Sequence, residues 1–271
     1  MSPQIAFLGA GNMASAIISG LLAVGLAPQQ LRASDPSEEA LARLRALGLS
    51  QVSTSTDGLC EDADLLVAAV KPQIMPQALS AIKPQLGSGT AVLSIAAGIP
   101  ISSLQSLAGP SVPIIRCMPN TPAMIGKGAS ALFACESVTP EQRALAEQVT
   151  SAVGLSVWVE TEVLLDAVTA VSGSGPAYFF ALIEAVAEAG TSLGLAPEVS
   201  MSLTLQTALG AAELAGQSDL PVSELRENVT SPGGTTEQAL LALKVGGFDE
   251  MIAKAVKACA DRARTLGEEF G

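Results

Sequence analysis

Thr235 and Thr236 follow two glycines and a proline in the run Ser231-Pro232-Gly233-Gly234-Thr235-Thr236, which leads directly into the helical pattern EQALLAL. Hydroxyl donors, backbone N–H groups unscreened by side chains and the positive end of a helix dipole together suit an anion. A capped helix following a turn is the alternative reading of the same residues. The chain has few other means of holding an anion. It contains no histidine, and no Lys or Arg occurs between Ala144 and Leu225. The missing histidine removes the commonest general acid–base group and the commonest metal ligand, and no metal site is expected.

A second constellation lies near the start. Gly9-Ala10-Gly11-Asn12-Met13-Ala14 follows the apolar run IAFL and opens a helical pattern, giving GxGxxA at a strand-to-helix join. Gly9 permits the tight turn, Gly11 lets a pyrophosphate approach the backbone, and Ala14 lets the helix pack on the strand. The chemistry is dinucleotide binding. The next strand ends at Ser34-Asp35. Asp35 either bonds the ribose 2′-hydroxyl, which favours NAD, or caps the helix that starts near Ser37. Ligands of open α/β sheets bind beyond the carboxyl ends of strands, and Ala69-Val70-Lys71-Pro72 and Ala96-Ala97-Gly98 occupy such ends. In Cys117-Met118-Pro119-Asn120-Thr121-Pro122 two prolines fix a loop, so Asn120 either points at the cofactor or only makes a turn. The expected cofactor set is Gly9, Ala10, Gly11, Asn12, Met13, Ala14, Ser34, Asp35, Thr56, Ala69, Val70, Lys71, Pro72, Ala96, Ala97, Gly98 and Asn120. The cofactor itself is NADPH or NADH.

Particular elements must carry these residues. Apolar runs at Ile5–Leu8, Leu31–Ala33, Leu65–Val70, Ala91–Ile95, Ile114–Met118 and Ser156–Val159 alternate with helix-like segments at 12–24, 37–47, 72–83, 101–107 and 140–153. Alternation of this kind predicts βαβ units and a parallel sheet covered on both faces. After Glu160 strand-like runs fade, and helices are predicted near 162–171, 176–192, 197–215, 222–229, 235–245 and 248–269. Many are apolar nearly all round, as in TLQTALGAA at 204–212, so they need a large core or a second copy of the chain to cover them. The expected architecture is α/β: a Rossmann-type doubly wound parallel sheet over residues 1–160, then an all-α dimerisation and substrate domain over 161–271.

Composition narrows the classes further. With 271 residues, 49% hydrophobic content and a formal charge of −12, the chain can build a sizeable core but does not suit nucleic acid or an anionic membrane. The longest uncharged run, Pro84 to Ile115, is broken by prolines and glycines and cannot form one membrane helix. The start SPQIAFLGAG reads as a strand rather than a signal peptide. Four scattered cysteines without a CxxC suit reduced thiols and a cytoplasmic location.

The chain resembles the pyrroline-5-carboxylate reductase family over essentially its whole length. GAGNMA, AVKP at Ala69–Pro72, AAG at Ala96–Gly98 and RCMPNTP at Arg116–Pro122 all contribute. The most specific matches are DAVTAVSGSGPAYFF at Asp166–Phe180 and VTSPGGTTEQAL at Val229–Leu240. The resemblance implies NAD(P)H-dependent reduction of 1-pyrroline-5-carboxylate to L-proline, the last step of proline biosynthesis. It implies an interlocked homodimer, a decamer built from such dimers, and an active site between the nucleotide domain of one subunit and helices of its partner. The substrate carboxylate would sit on the N–H groups of Gly233, Gly234, Thr235 and Thr236, with Asn228 and Ser231 lining the same pocket. Thr236 matches the family threonine that donates to the ring nitrogen. Asp219 stands where the family usually carries Glu. Ser172-Gly173-Ser174-Gly175 either contacts ligand or only turns a corner between helices, and Tyr178 and Trp158 are packing residues. Two rivals are a β-hydroxyacid dehydrogenase of similar layout, which the Lys-free stretch disfavours, and a cofactor-sensing scaffold, which has no need of an anion pocket.

Overall fold

In β1 (Ile5–Leu8) every residue is buried, and alternate side chains serve opposite faces of a sheet. Ile5 and Phe7 join one apolar cluster, Ala6 and Leu8 another. β4 (Leu65–Ala68) repeats the pattern, Leu65 and Val67 against Leu66 and Ala68. A strand covered on both sides has no polar face, which is why these strands read as continuous apolar runs. The computed structural model describes residues 3–87 and 89–270.

The sheet also contains β2 (Leu31–Ser34), β3 (Val52–Ser53), β5 (Ala91–Ser94), β6 (Ile114–Met118), β7 (Gly128–Ala134) and β8 (Gly154–Trp158). Its order is β3-β2-β1-β4-β5-β6-β7-β8. β1 to β6 run parallel, the doubly wound arrangement expected. Two features add to the expected parallel sheet. β7, absent from the predicted strands, runs antiparallel to β6, and β8 pairs parallel with β7. On one face lie α1 (Asn12–Ala23), α2 (Glu38–Ala46) and α5 (Pro140–Ser151), anchored by Ile17, Leu21, Leu41, Leu44 and Val149. On the other lie α3 (Met75–Ile82) and α4 (Ile101–Ala108), anchored by Met75, Leu79 and Leu104.

The remaining helices are α6 (Leu164–Val168), α7 (Gly175–Ser192), α8 (Pro197–Gln217), α9 (Val222–Asn228), α10 (Thr235–Val245) and α11 (Phe248–Phe270). The chain divides into two compact units. One runs up to Ser174 and takes in the chain again from Cys259 onward; the other runs from Gly175 to Ala258. Within the second unit α7 and α8 pack closely: a side chain at Gly190 would run into Ser200 Oγ, and that hydroxyl donates to the Ala187 carbonyl at 2.7 Å. Their other faces are bare. Phe179 is 66% exposed and Phe180 61%, and Leu182, Val186 and Leu203 are also exposed. Among the described residues one helical stretch, Leu164–Ser192, is long and apolar enough to cross a membrane by length and composition. A π-type turn at Thr169–Gly173 interrupts it.

Candidate cofactor and substrate sites

The glycine loop is built by the end of β1. Gly9 has φ +101°, and a Cβ there would lie 2.7 Å from the Ala69 carbonyl oxygen and 3.0 Å from Val70 Cγ1. Only glycine lets the loop lie on Ala69-Val70, so the two motifs adjoin. Gly9 N–H donates to the Ser34 carbonyl at 2.7 Å, and the Ser34 residue itself is buried. Ala14 is 1% exposed and Met13 packs on the same cluster, while Asn12 faces solvent. Gly11 differs from Gly9. Its φ is −67°, and a Cβ on it would meet nothing within 4 Å. The fold itself does not require glycine there, and the open space beside it leaves room for close approach of a ligand. Gly11 is the N-cap of α1 and no side chain caps that end. The first N–H groups of the helix therefore have no intrahelical partner and suit a pyrophosphate.

Asp35 is braced rather than free. Its Oδ2 accepts the Ala10 N–H at 2.7 Å and its Oδ1 the Ser37 N–H at 2.8 Å. The cap of α2 is Ser37, whose Oγ accepts from Ala40 N–H. The cap alternative for Asp35 is thereby corrected: its carboxylate ties the glycine loop to the end of β2. Lys71 is exposed, and its carbonyl accepts from Ile74 and Met75 as Pro72 leads into α3. Thr56 is half-buried, with its carbonyl accepting from Gln85 Nε2 at 2.8 Å. Ala96 is buried, and Ala97 and Gly98 are half-buried.

Asn120 takes the turn alternative. It is 9% exposed, its Nδ2 donates to the Ser172 carbonyl at 3.0 Å and its Oδ1 accepts from Ala129 N–H at 2.9 Å. The amide joins the loop after β6 to β7 and to the corner at 172–174. A side chain at Gly173 would run into Met118 Cε, so the corner also rests on the end of β6. Nothing in the residue pattern marks Glu162, yet its Oε1 accepts from Arg116 at 2.7 Å and from the Ile101 N–H at 2.7 Å. An arginine inside an apolar strand needs such a partner, and that was the available signal. Asp166 lies close by: burial pushes its carboxyl up, Arg116 and Arg264 pull it down, and Glu162 adds to the rise. Burial also pushes the Cys117 thiol up to about 12, which leaves it inert at neutral pH.

The Ser231–Thr236 segment belongs to the second unit. Gly233 has φ +72°, and a Cβ on Gly234 would lie 2.9 Å from the Ser231 carbonyl, which accepts the Gly234 N–H at 2.9 Å. Both glycines are thus required by the turn itself. Gly234 is the N-cap of α10, again without a side-chain cap. One donor of this turn already holds a carboxylate: Gly233 N–H donates to Glu237 Oε2 at 2.8 Å. Thr236 is half-buried, whereas Thr235, Ser231 and Asn228 are exposed. Asn228 ends α9, three residues before Ser231. Asp219 lies exposed between α8 and α9 and, among the described residues, makes no hydrogen bond to 231–236.

Comparison with known proteins shows the family. Residues 162–266 match the family model described as pyrroline-5-carboxylate reductase dimerisation. Residues 4–98 match the one described as NADP oxidoreductase, coenzyme F420-dependent. Over 270 residues the chain is 47% identical to the pyrroline-5-carboxylate reductase of Pseudomonas aeruginosa, an alignment covering 100% of this chain and 99% of that one. It is similar to the solved pyrroline-5-carboxylate reductase of Coxiella burnetii, with a TM-score of 0.94, 38% identity and coverage of 98% and 99%. The Plasmodium falciparum pyrroline carboxylate reductase with NADP bound gives a TM-score of 0.86, 31% identity and 98% coverage of each chain.

Proposed function

The chain belongs to the pyrroline-5-carboxylate reductase family, and from that premise we propose that it reduces the C=N bond of 1-pyrroline-5-carboxylate with NAD(P)H, giving L-proline. The observation that carries this reading is the Glu237 carboxylate seated on Gly233 N–H, which supports taking this donor as one suited to an acid group. The glycine loop fits a dinucleotide, since Gly11 leaves open space over an uncapped helix start.

The nicotinamide cofactor supplies the hydride. The protein supplies order. A cyclic imine is easily protonated and then accepts hydride readily, so holding the two reactants in register provides much of the rate. The N–H groups of Thr235 and Thr236, joined by that of Gly233 when Glu237 gives way, hold the substrate carboxylate beside Gly234, and the Thr236 hydroxyl donates to the ring nitrogen as it gains basicity. Asn228 and Ser231 line the pocket, and Asp219 serves as the shorter counterpart of the family Glu. The cofactor lies on Gly9–Ala14, Ser34, Asp35, Thr56, Ala69–Pro72 and Ala96–Gly98, with Asn120 acting through the loop it braces. Negative charge on Asp35 favours NADH over NADPH, whose 2′-phosphate it repels.

In this reading residues 1–160 serve the cofactor and 161–271 serve the dimer and the substrate. The exposed apolar faces of α7 and α8 are covered by a second copy rather than by lipid, and dimers assemble further into a decamer. The protein is cytoplasmic and binds neither nucleic acid nor metal. The test is NAD(P)H oxidation by purified protein on addition of 1-pyrroline-5-carboxylate, with proline measured as product. Absence of oxidation with both cofactors overturns the reading.

A further inference from the structure

The loop Ala96–Gly98 has almost no hydrogen bonds of its own. Among the described residues Ala96 N–H reaches Ser94 Oγ at 3.4 Å, and the N–H groups of Ala97 and Gly98 make no bond. Packing must therefore set its position. The packing comes from the far end of the chain. Gly98 has φ +76°, and a Cβ on it would lie 3.2 Å from Leu266 Cβ and 3.5 Å from the Leu266 carbonyl carbon. From the other side, a Cβ on Gly267 would lie 3.7 Å from the Gly98 carbonyl oxygen. One helical turn earlier Ala263 is buried. One turn later Phe270 packs on the cluster that contains Ala96, Ile99 and Leu104. Ala263, Leu266, Gly267 and Phe270 recur at three- and four-residue spacing, so they form one face of α11. The loop's exit is held separately, where Glu162 accepts the Ile101 N–H at 2.7 Å.

The chain thus leaves the sheet unit after Ser174, builds the helices that carry the substrate segment, and returns at Cys259 to close on the cofactor loop. We infer that the last turns of α11 are a positioning element for nicotinamide cofactor binding, acting through the contact of Leu266 and Gly267 with Gly98. The inference rests on the reading of Ala96–Gly98 as part of the cofactor site. Leu266 touches no reactant; it confines a loop that otherwise samples other positions. A loop so loosened weakens cofactor binding more than it slows the chemical step.

Gly267→Leu, which drives a side chain against the Gly98 carbonyl, is the primary variant and Phe270→Ala the second, with Gly267→Ala, whose Cβ would lie at an ordinary contact distance of 3.7 Å, as the conservative control. Three quantities are compared with the wild type: the NADH and NADPH dissociation constants, measured without substrate by nucleotide fluorescence; the separate kcat and KM values; and the unfolding midpoint. Gly267→Leu is expected to raise the cofactor dissociation constant and cofactor KM by about fivefold, with kcat and the KM for the imine within about twofold, and Gly267→Ala to keep wild-type binding. Unchanged cofactor affinity in both Gly267→Leu and Phe270→Ala overturns the inference. A parallel decline of kcat, both KM values and thermal stability does so too, because it marks a merely structural contact. Binding is read directly, so a wild type that binds nucleotide without turning over the imine would defeat the proposed reaction and leave this test intact.

Discussion

Helices α1 and α10 both have a glycine as N-cap, and the glycines before them are there for different reasons. At α1, Gly9 is forced by its positive φ and its contact with Ala69, while Gly11 is forced by nothing in the fold. At α10, both glycines are forced, Gly233 by φ and Gly234 by the Ser231 carbonyl. A glycine that the fold does not need is a stronger pointer to a ligand than a glycine-rich stretch as such. The surroundings differ as well. The α1 loop is braced by Ser34 and Asp35 and rests on a buried sheet, whereas the α10 turn is largely exposed and its donor is held by a neighbouring carboxylate. The first loop is built on the sheet; the second lies in a unit whose helices α7 and α8 carry uncovered apolar faces.

The strongest way to break this contrast is to charge an uncovered face. Leu203→Glu is a surface change in a lone chain, where such substitutions alter stability by about 0.5 kcal/mol or less. If a second copy covers that face, a buried charge separates the subunits and lowers turnover by roughly a hundredfold or more. Light scattering and activity decide the matter, and a variant that stays dimeric and active removes the covering copy from that surface. Next in size is Thr236→Val, expected to cut kcat/KM by about a hundredfold while cofactor affinity is retained. Normal turnover would strip Thr236 of its role at the ring nitrogen.

The glycine pair at α1 gives a smaller and more diagnostic split. Gly9→Ala should lower the unfolding free energy by roughly 1–3 kcal/mol, through strained φ and crowding against Ala69. Gly11→Val should leave the unfolding midpoint in place and weaken nucleotide binding by about tenfold. Equal effects of the two on stability would erase the distinction drawn between them. The smallest effect is expected at α10. Glu237→Ala frees the Gly233 N–H and removes a like charge, so the KM for the imine should fall by about threefold. A rise in that KM would show Glu237 to be support for the turn rather than a competitor for it.

Much of this was legible because it depends on local pattern. Continuous apolar runs marked β1, β4 and β5, and GxGxxA marked the loop. β7 was not legible, since GASALFA has no β-branched residue and its small side chains carry little period-two contrast. Pairing with β6 and β8 makes it a strand, and pairing is not written in a single segment. The internal use of Asn120 was hidden for a similar reason: its partners lie 9 and 52 residues away. So was the brace on Asp35, whose partner Ala10 lies 25 residues before it. The return of α11 to the cofactor loop depends on contacts between segments far apart in the chain, and Leu266 and Gly267 look like ordinary surface helix until Gly98 is placed beside them.

The two bonds of Asp35 bear on how such a protein can change. Substituting an arginine at the end of β2 is the obvious route to a preference for a 2′-phosphorylated dinucleotide. Here that exchange would also release the Ala10 N–H and slacken the turn that receives the pyrophosphate. If Asp35 sets cofactor choice, that choice and loop rigidity are one trait at position 35. A lineage that shifts its electron donor should keep this aspartate and do its tinkering at neighbouring positions.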